Sequence, residues 1–302
     1  MTTVKKAIPY TVAIIVTMLW SSSFVLIKLG LKEVPPLYFA TLRYTLGFAI
    51  LAIIDIASSR GHSKGYSGAL AGTPKPKTAW VPLIVAGIAG YTVAQGLEYV
   101  GLFYLPAVTT SFILTFNPLF VLFIGILMFS ERPSKFQVGG FLLTLIGAYA
   151  FFSTRISWQG QWLGLVIVII SGIGWAVYVI VIRELQRTNR QSSLRVTTVS
   201  MGIGVVGLVV LSAATGEYAP LTPDLILIVV WLSLVNTALA FFMWNWALKA
   251  VAAFKLTVIQ NIMLIEIALF SFFFLQETIT PIMVVGMALV VVGVVIVSLR
   301  MK

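Results

Sequence analysis

Apolar residues come in ten long runs along this chain, at 9–30, 35–57, 80–103, 106–129, 135–153, 160–182, 194–213, 223–248, 254–275 and 280–299. A helix of about 20 apolar residues crosses a bilayer, so each run predicts one membrane-spanning helix. The breaks suit that reading. Pro35, Pro36, Pro106, Pro133, Pro220, Pro223 and Pro281 sit at or near starts and stops, where a missing N–H costs least. The longest connection, 58–79, is rich in Ser, Gly, Lys and Pro and reads as a flexible surface loop. No soluble domain is expected. The first run follows Lys5 and Lys6 and is too long for a signal-peptide core, so it reads as a retained span.

Two stretches 146 positions apart echo each other. Phe129, Glu131, Gly140 and Gly147 match Leu275, Glu277, Gly286 and Gly293 in spacing. Trp20 is followed eight positions later by Lys28, and Trp175 eight positions later by Arg183. Ten spans divided by one duplication give five per half, an odd number. The halves 1–153 and 154–302 must then lie upside down relative to each other, an arrangement many transporters use around a central cavity. The expected fold is an all-α integral membrane protein, ten transmembrane helices in two inverted five-helix repeats.

Composition fits. Apolar residues make up 60% of the 302 and charged ones 10%, against about 25% charged in ordinary soluble domains. The absence of cysteine removes disulfides and thiolate metal sites. The single histidine, His62, lies in the polar connection and reads as a solvated loop residue. The net charge of +11 is a topology signal. With the N-terminus in the cytoplasm, all Lys and Arg except Lys28, Lys32, Arg155 and Arg43 fall on the cytoplasmic face. The basic residues are scattered at run ends, which excludes a nucleic-acid partner; the partner is the lipid bilayer. Both termini are then cytoplasmic.

Trp20-Ser21-Ser22-Ser23-Phe24 with Lys28, then Arg43, Asn117-Pro118, and Phe129-Ser130-Glu131-Arg132 followed by Gly139, Gly140 and Gly147, resemble the EamA-type repeat of the drug/metabolite transporter superfamily. The resemblance covers about residues 10–299, and in overall likeness the chain is similar to the YddG-type amino-acid exporters. It implies ten helices, a cavity between the halves, export of small metabolites and residence in a bacterial inner membrane. One departure stands out: Met263-Leu264 occupy the place in the ninth run that matches Pro118 in the fourth.

Polar groups inside the runs need a reason. Arg43, Glu98 and Glu266 are charges within spans, each costing roughly 2.5–3.5 kcal/mol at mid-helix. Tyr91, Gln95, Glu98, Tyr99 and Leu102 share a helix face at spacings of three and four. Such a stripe faces either a cavity or a neighbouring helix, because lipid satisfies no hydrogen bonds. Aromatic walls with a few polar groups suit an amphipathic small molecule. Thr257, Gln260 and Asn261 match Ser111, Leu114 and Thr115 at the 146-residue offset, which favours a shared cavity lining. Trp20, Ser23, Trp175, Tyr178, Asn236, Trp244 and Asn245 complete the candidate substrate-binding set. Trp80, Trp158 and Trp162 read as interfacial anchors. Glu131 and Glu277 read as span-end groups, and Glu266 either pairs with another helix or reaches a separate polar pocket. Arg43 either neutralises a carboxylate or lines the pathway.

These readings predict a secondary transporter, exporting neutral or aromatic amino acids or other small amphipathic metabolites by alternating access. No phosphate-binding loop is present and no cofactor is implied. A monomer is compatible with this scheme. A membrane enzyme would need a catalytic constellation at one depth, which a lone loop histidine and few buried acids do not provide. A channel would be open to both faces at once.

Overall fold

The computed structural model describes residues 3–63, 79–129, 134–153, 162–188, 192–275 and 279–299. Among these there is no strand. The first half contains α1 (Thr3–Gly30), α2 (Pro36–Ser63), α3 (Trp80–Gly87), a π-helical stretch π1 (Ile88–Gln95), α4 (Gly96–Tyr104), α5 (Ala107–Leu114), α6 (Asn117–Phe129) and α7 (Lys135–Phe152). The second repeats the order: α8 (Trp162–Thr188), α9 (Ser193–Thr215), α10 (Pro223–Trp231), π2 (Leu232–Leu239), α11 (Ala240–Leu248), α12 (Ala253–Gln260), α13 (Met263–Leu275) and α14 (Pro281–Leu299).

Among the described residues, eight helical stretches are long and apolar enough to cross a membrane; Lys135–Phe151 and Pro281–Val297 are apolar but shorter. Large apolar side chains such as Leu127, Leu227 and Phe273 stand exposed on the outside, the reverse of a water-soluble surface. Glu131, Glu277 and Trp158, and much of the 58–79 connection, lie outside the described residues. Trp80 and Trp162 are exposed, as anchors would be.

Helix ends obey local chemistry. Ser134 and Gln137 form a reciprocal capping box at α7. Thr222 caps α10 with Pro223 in its first turn, and Gly216 ends α9 at φ 64°, where a side chain would be strained. Helix α2 runs to Ser63, beyond the end at 57 that hydropathy predicts. Ser58 and Ser59 donate to the Asp55 carbonyl at 2.9 and 2.8 Å, so the serines stay within the helical ladder. Asp55 itself pairs with Arg195 at 2.7 Å, tying α2 to α9.

The fourth and ninth runs do not form continuous helices. Each breaks in the middle, at Thr115–Phe116 and at Asn261–Ile262. Pro118 explains the first break, since its ring has no N–H to return to Leu114. The second has no proline. Its turns tighten instead: Asn261 N–H reaches Val258 O at 3.1 Å and Ile262 N–H reaches Ile259 O at 3.0 Å, three residues back.

Packing between the halves is reciprocal. Helix α1 packs on α11 and α13, and α8 on α4 and α6; α2 packs on π2, and α9 on π1. Two pairs meet their own counterparts, α2 with α9 and α7 with α14. In the α7–α14 pair, Gly140 faces Gly293 and Gly147 faces Gly286. A Cβ on Gly147 would lie 2.7 Å from Gly286 O, so only glycine permits this approach. Two further reciprocal contacts lie at helix ends. Lys28 Nζ donates to the carbonyls of Leu102 and, at 2.6 Å, Leu105, at the end of α4. Arg183 donates to Leu248 O at 2.6 Å and Lys249 O at 2.9 Å, at the end of α11. Each cation meets the negative end of a helix dipole.

Candidate functional site

A helix break in an apolar interior exposes carbonyls that need a donor. Here the two breaks serve each other: Asn261 Nδ2 donates to Thr115 O at 3.1 Å, across positions 146 apart. Around this junction lies a cavity. Its walls are Trp20, Ser23 and Phe24 of α1, Arg43 of α2, Gln95 and Glu98 of π1 and α4, and Ser111, Leu114, Thr115 and Asn117 at the first break. Ser171 and Trp175 of α8, with Gln260, Asn261, Met263, Leu264 and Ile267 at the second break, close it. The space open to water is about 50 Å³. That is well below the roughly 300–1,000 Å³ of sites that hold drug-sized ligands.

One end of the cavity is an aromatic floor. Trp20 and Trp175 meet edge-on, with centroids 5.4 Å apart. The cavity-lining residues of α1 lie at or after Trp20, and those of α8 at or before Trp175. Beyond the floor the interior is filled. Trp244 lies 5.1 Å and Phe241 5.3 Å from Trp20, and Tyr178 stacks on Trp175 at 5.2 Å. Behind these rings, Tyr178 shares its hydroxyl with Tyr91 at 2.9 Å and with Asn245, whose Nδ2 also donates to Thr197 at 2.8 Å. Trp175 Nε1 donates to Gln260 Oε1 at 3.0 Å, linking floor to wall.

A further wall, joined to Trp20 through the Asn236 carbonyl, carries charge. Arg43 is buried and its donors are committed: Nε to Thr237 Oγ1 at 2.6 Å, Nη1 to the Tyr99 hydroxyl at 3.1 Å and Nη2 to Asn236 O at 3.0 Å. Two of these partners belong to π2. A π-helix redirects its ladder: the Ala240 N–H returns to Val235 O, five residues back. The Asn236 carbonyl instead accepts from Arg43 and, at 3.2 Å, from Trp20 Nε1. Tyr44 donates to Gln95 Oε1, and Gln95 Nε2 reaches Glu98 at 3.5 Å. Glu98 keeps part of its surface open to the cavity.

Of the residues selected by sequence, Trp20, Ser23, Gln95, Glu98, Ser111, Thr115, Trp175, Gln260 and Asn261 line one cavity. Tyr91, Tyr99, Tyr178, Asn236, Trp244, Asn245 and Thr257 do not line it. Tyr91, Tyr178, Trp244 and Asn245 form the filled interior beyond the floor. Tyr99 and Asn236 hold Arg43, and Thr257 bonds back to its own helix at Phe254 O and Ala253 O. Glu266 accepts from Thr17 at 3.0 Å and Ser21 at 2.8 Å, away from the cavity. The structure adds Arg43, Asn117, Ser171 and an apolar patch of Phe24, Leu114, Met263, Leu264 and Ile267. Ser171 had a signal: it lies one turn before Trp175 and shares its face.

Lipid-facing apolar helices around a buried polar and aromatic chamber define a multi-pass membrane protein that handles a small molecule. The chain belongs to the EamA-like transporter family, which residues 7–153 and 162–299 match. It is a transporter of the drug/metabolite superfamily, not an enzyme. A probable amino-acid metabolite efflux pump of Salmonella typhimurium is 24% identical over 295 residues, covering 93% of this chain and 91% of that protein. A probable terminal-alkyne amino-acid exporter of Streptantibioticus cattleyicolor is 25% identical over 305 residues, covering 98% and 94%. An uncharacterized transporter of Archaeoglobus fulgidus is 25% identical over 268 residues, 86% of each chain. A crystal structure of a protein 20% identical in sequence superposes with a TM-score of 0.73, covering 99% and 98%; at that identity it speaks to the fold alone.

Proposed function

We propose that this protein exports small, neutral, partly apolar amino acids by alternating access between two inverted five-helix halves, 1–153 and 154–302. The single observation that carries this reading is the cavity itself, which lies where the helix breaks of both halves meet and is lined by both. The repeated element order and the reciprocal packing support two related halves. Counting the two shorter apolar helices as spans gives ten, five per half, and an odd number per half inverts one against the other. The distribution of Lys and Arg supports cytoplasmic termini in a bacterial inner membrane. Two relatives carry amino-acid efflux in their names, which supports the cargo.

In this scheme polar groups at the breaks meet the ammonium and carboxylate, and Trp20 and Trp175 meet the side chain. With cytoplasmic termini, the C-terminal part of α1 faces outward, so the cavity lies on the outer side of the Trp20–Trp175 floor. The cluster of Tyr178, Trp244, Asn245 and Thr197 then closes the cytoplasmic side. The small open volume means that the walls part to admit cargo. Purified protein in liposomes loaded with labelled phenylalanine or leucine should release it down a gradient. Absence of flux for every amino acid tried would end the cargo assignment.

A further inference from the structure

Vacant hydrogen-bonding capacity in a buried cavity describes the ligand it lacks, since buried polar atoms are normally satisfied. In this cavity the charged vacancy is a carboxylate. Glu98 is the one carboxylate among the described lining residues. Its one hydrogen bond is the long contact from Gln95 at 3.5 Å, although a carboxylate offers about four acceptor positions. Arg43, the one cation on the walls, directs Nε, Nη1 and Nη2 to Thr237, Tyr99 and Asn236. Asn117 also lines the cavity, but its unpartnered Oδ1 is closed off against Gly172. Two other amides are engaged at one end each: Gln260 Oε1 accepts from Trp175 and Asn261 Nδ2 donates to Thr115 O.

We infer that Glu98 forms an ammonium subsite, so that a free primary amine on the cargo is required for binding. An ammonium brings three donors and one positive charge to a carboxylate with open acceptor positions. A phosphate, or a carboxylic acid without an amine, would meet Glu98 with a like charge. The apolar patch of Phe24, Leu114, Met263 and Ile267 leaves room for a hydrocarbon side chain beside the amine. This inference rests on the export reading for the identity of the cavity, but it does not require the cargo to carry a carboxylate.

The test uses the intact protein in detergent and three probes: phenylalanine, N-acetylphenylalanine and phenethylamine. Binding is read as a ligand-induced rise in melting temperature and by calorimetric titration. Phenylalanine and phenethylamine should bind, and N-acetylphenylalanine should not. Glu98→Gln should weaken the first two by about tenfold or more, as loss of a charge-assisted hydrogen bond does. Equal binding of the acetylated compound, or an unchanged Glu98→Gln variant, overturns the subsite even where amino-acid flux persists. Glu98-dependent binding of phenethylamine without phenylalanine keeps the subsite and removes the amino-acid cargo. Binding of none of the three overturns both.

Discussion

Arg43 is a buried cation held by neutral partners, and its guanidinium fork is what makes that tenable. Its donors reach a hydroxyl, a phenol and a carbonyl in three directions, and the faces of Tyr44 and Tyr99 lie 5.2 and 6.0 Å from its charge. A lysine carries the charge without the fork. Arg43→Lys should therefore destabilise the protein by about 2 kcal/mol or more, the worth of a charge-assisted hydrogen bond, seen as a lower melting temperature; an unchanged melt would show the fork to be dispensable. Asn261 offers a second test. Its amide satisfies the carbonyl freed at Thr115, so Asn261→Ala should cost about 1–3 kcal/mol, the penalty for a buried unsatisfied acceptor. Asn261→Asp should not repair the loss, because an ionised carboxylate has no donor; equilibrium unfolding of the three proteins decides it. The equivalence of Thr115 and Asn261 was legible in the sequence from the duplication offset, but their hydrogen bond was not, since equivalent positions need not touch. The partners of Arg43 were not: they come from a π-helical stretch, and hydropathy does not distinguish five-residue from four-residue ladders. The orphaned Asn117 oxygen was hidden for another reason, since it depends on how helix α8 approaches at Gly172.

At the level of elements, α7 and α14 form a seam held by glycines rather than by interlocking side chains. Gly147→Val should push the two helices apart, because even a Cβ would meet Gly286 O at 2.7 Å and the backbone cannot give way. Gly139, one position from Gly140 but with nothing within 4 Å of a Cβ, is the matched control. Size-exclusion profiles of the two variants should separate them: Gly139→Ala monodisperse, Gly147→Val aggregated or lost. A well-behaved Gly147→Val would mean that the seam can open. All ten apolar runs correspond to helical segments, because length and hydropathy are what a bilayer selects. Their interruptions were less legible. Pro118 accounts for the break in the fourth run, whereas the matching place in the ninth reads Met263-Leu264 and breaks all the same. There the signal is the Thr115 carbonyl, 146 positions away, which needs a donor and which no local pattern reveals.

For the whole molecule, the filled side and the open side of the Trp20–Trp175 floor make a prediction about access. The chain has no native cysteine, so single thiols report cleanly. In the proposed topology, Ser23→Cys and Ser111→Cys should react with a membrane-impermeant thiol reagent added outside, and Asn245→Cys should stay protected from that side. Labelling of all three from both faces would indicate a continuous pore instead. The three indoles at the floor carry a further consequence. Trp20, Trp175 and Trp244 lie with ring centroids 5.1–6.1 Å apart at fixed mutual angles, and aromatic rings locked in this way dominate near-ultraviolet circular dichroism. Parting of the floor during turnover would dissolve that arrangement. The unlabelled protein therefore carries its own optical signal, in which the amplitude of the tryptophan bands tracks the fraction of molecules whose inner passage is shut.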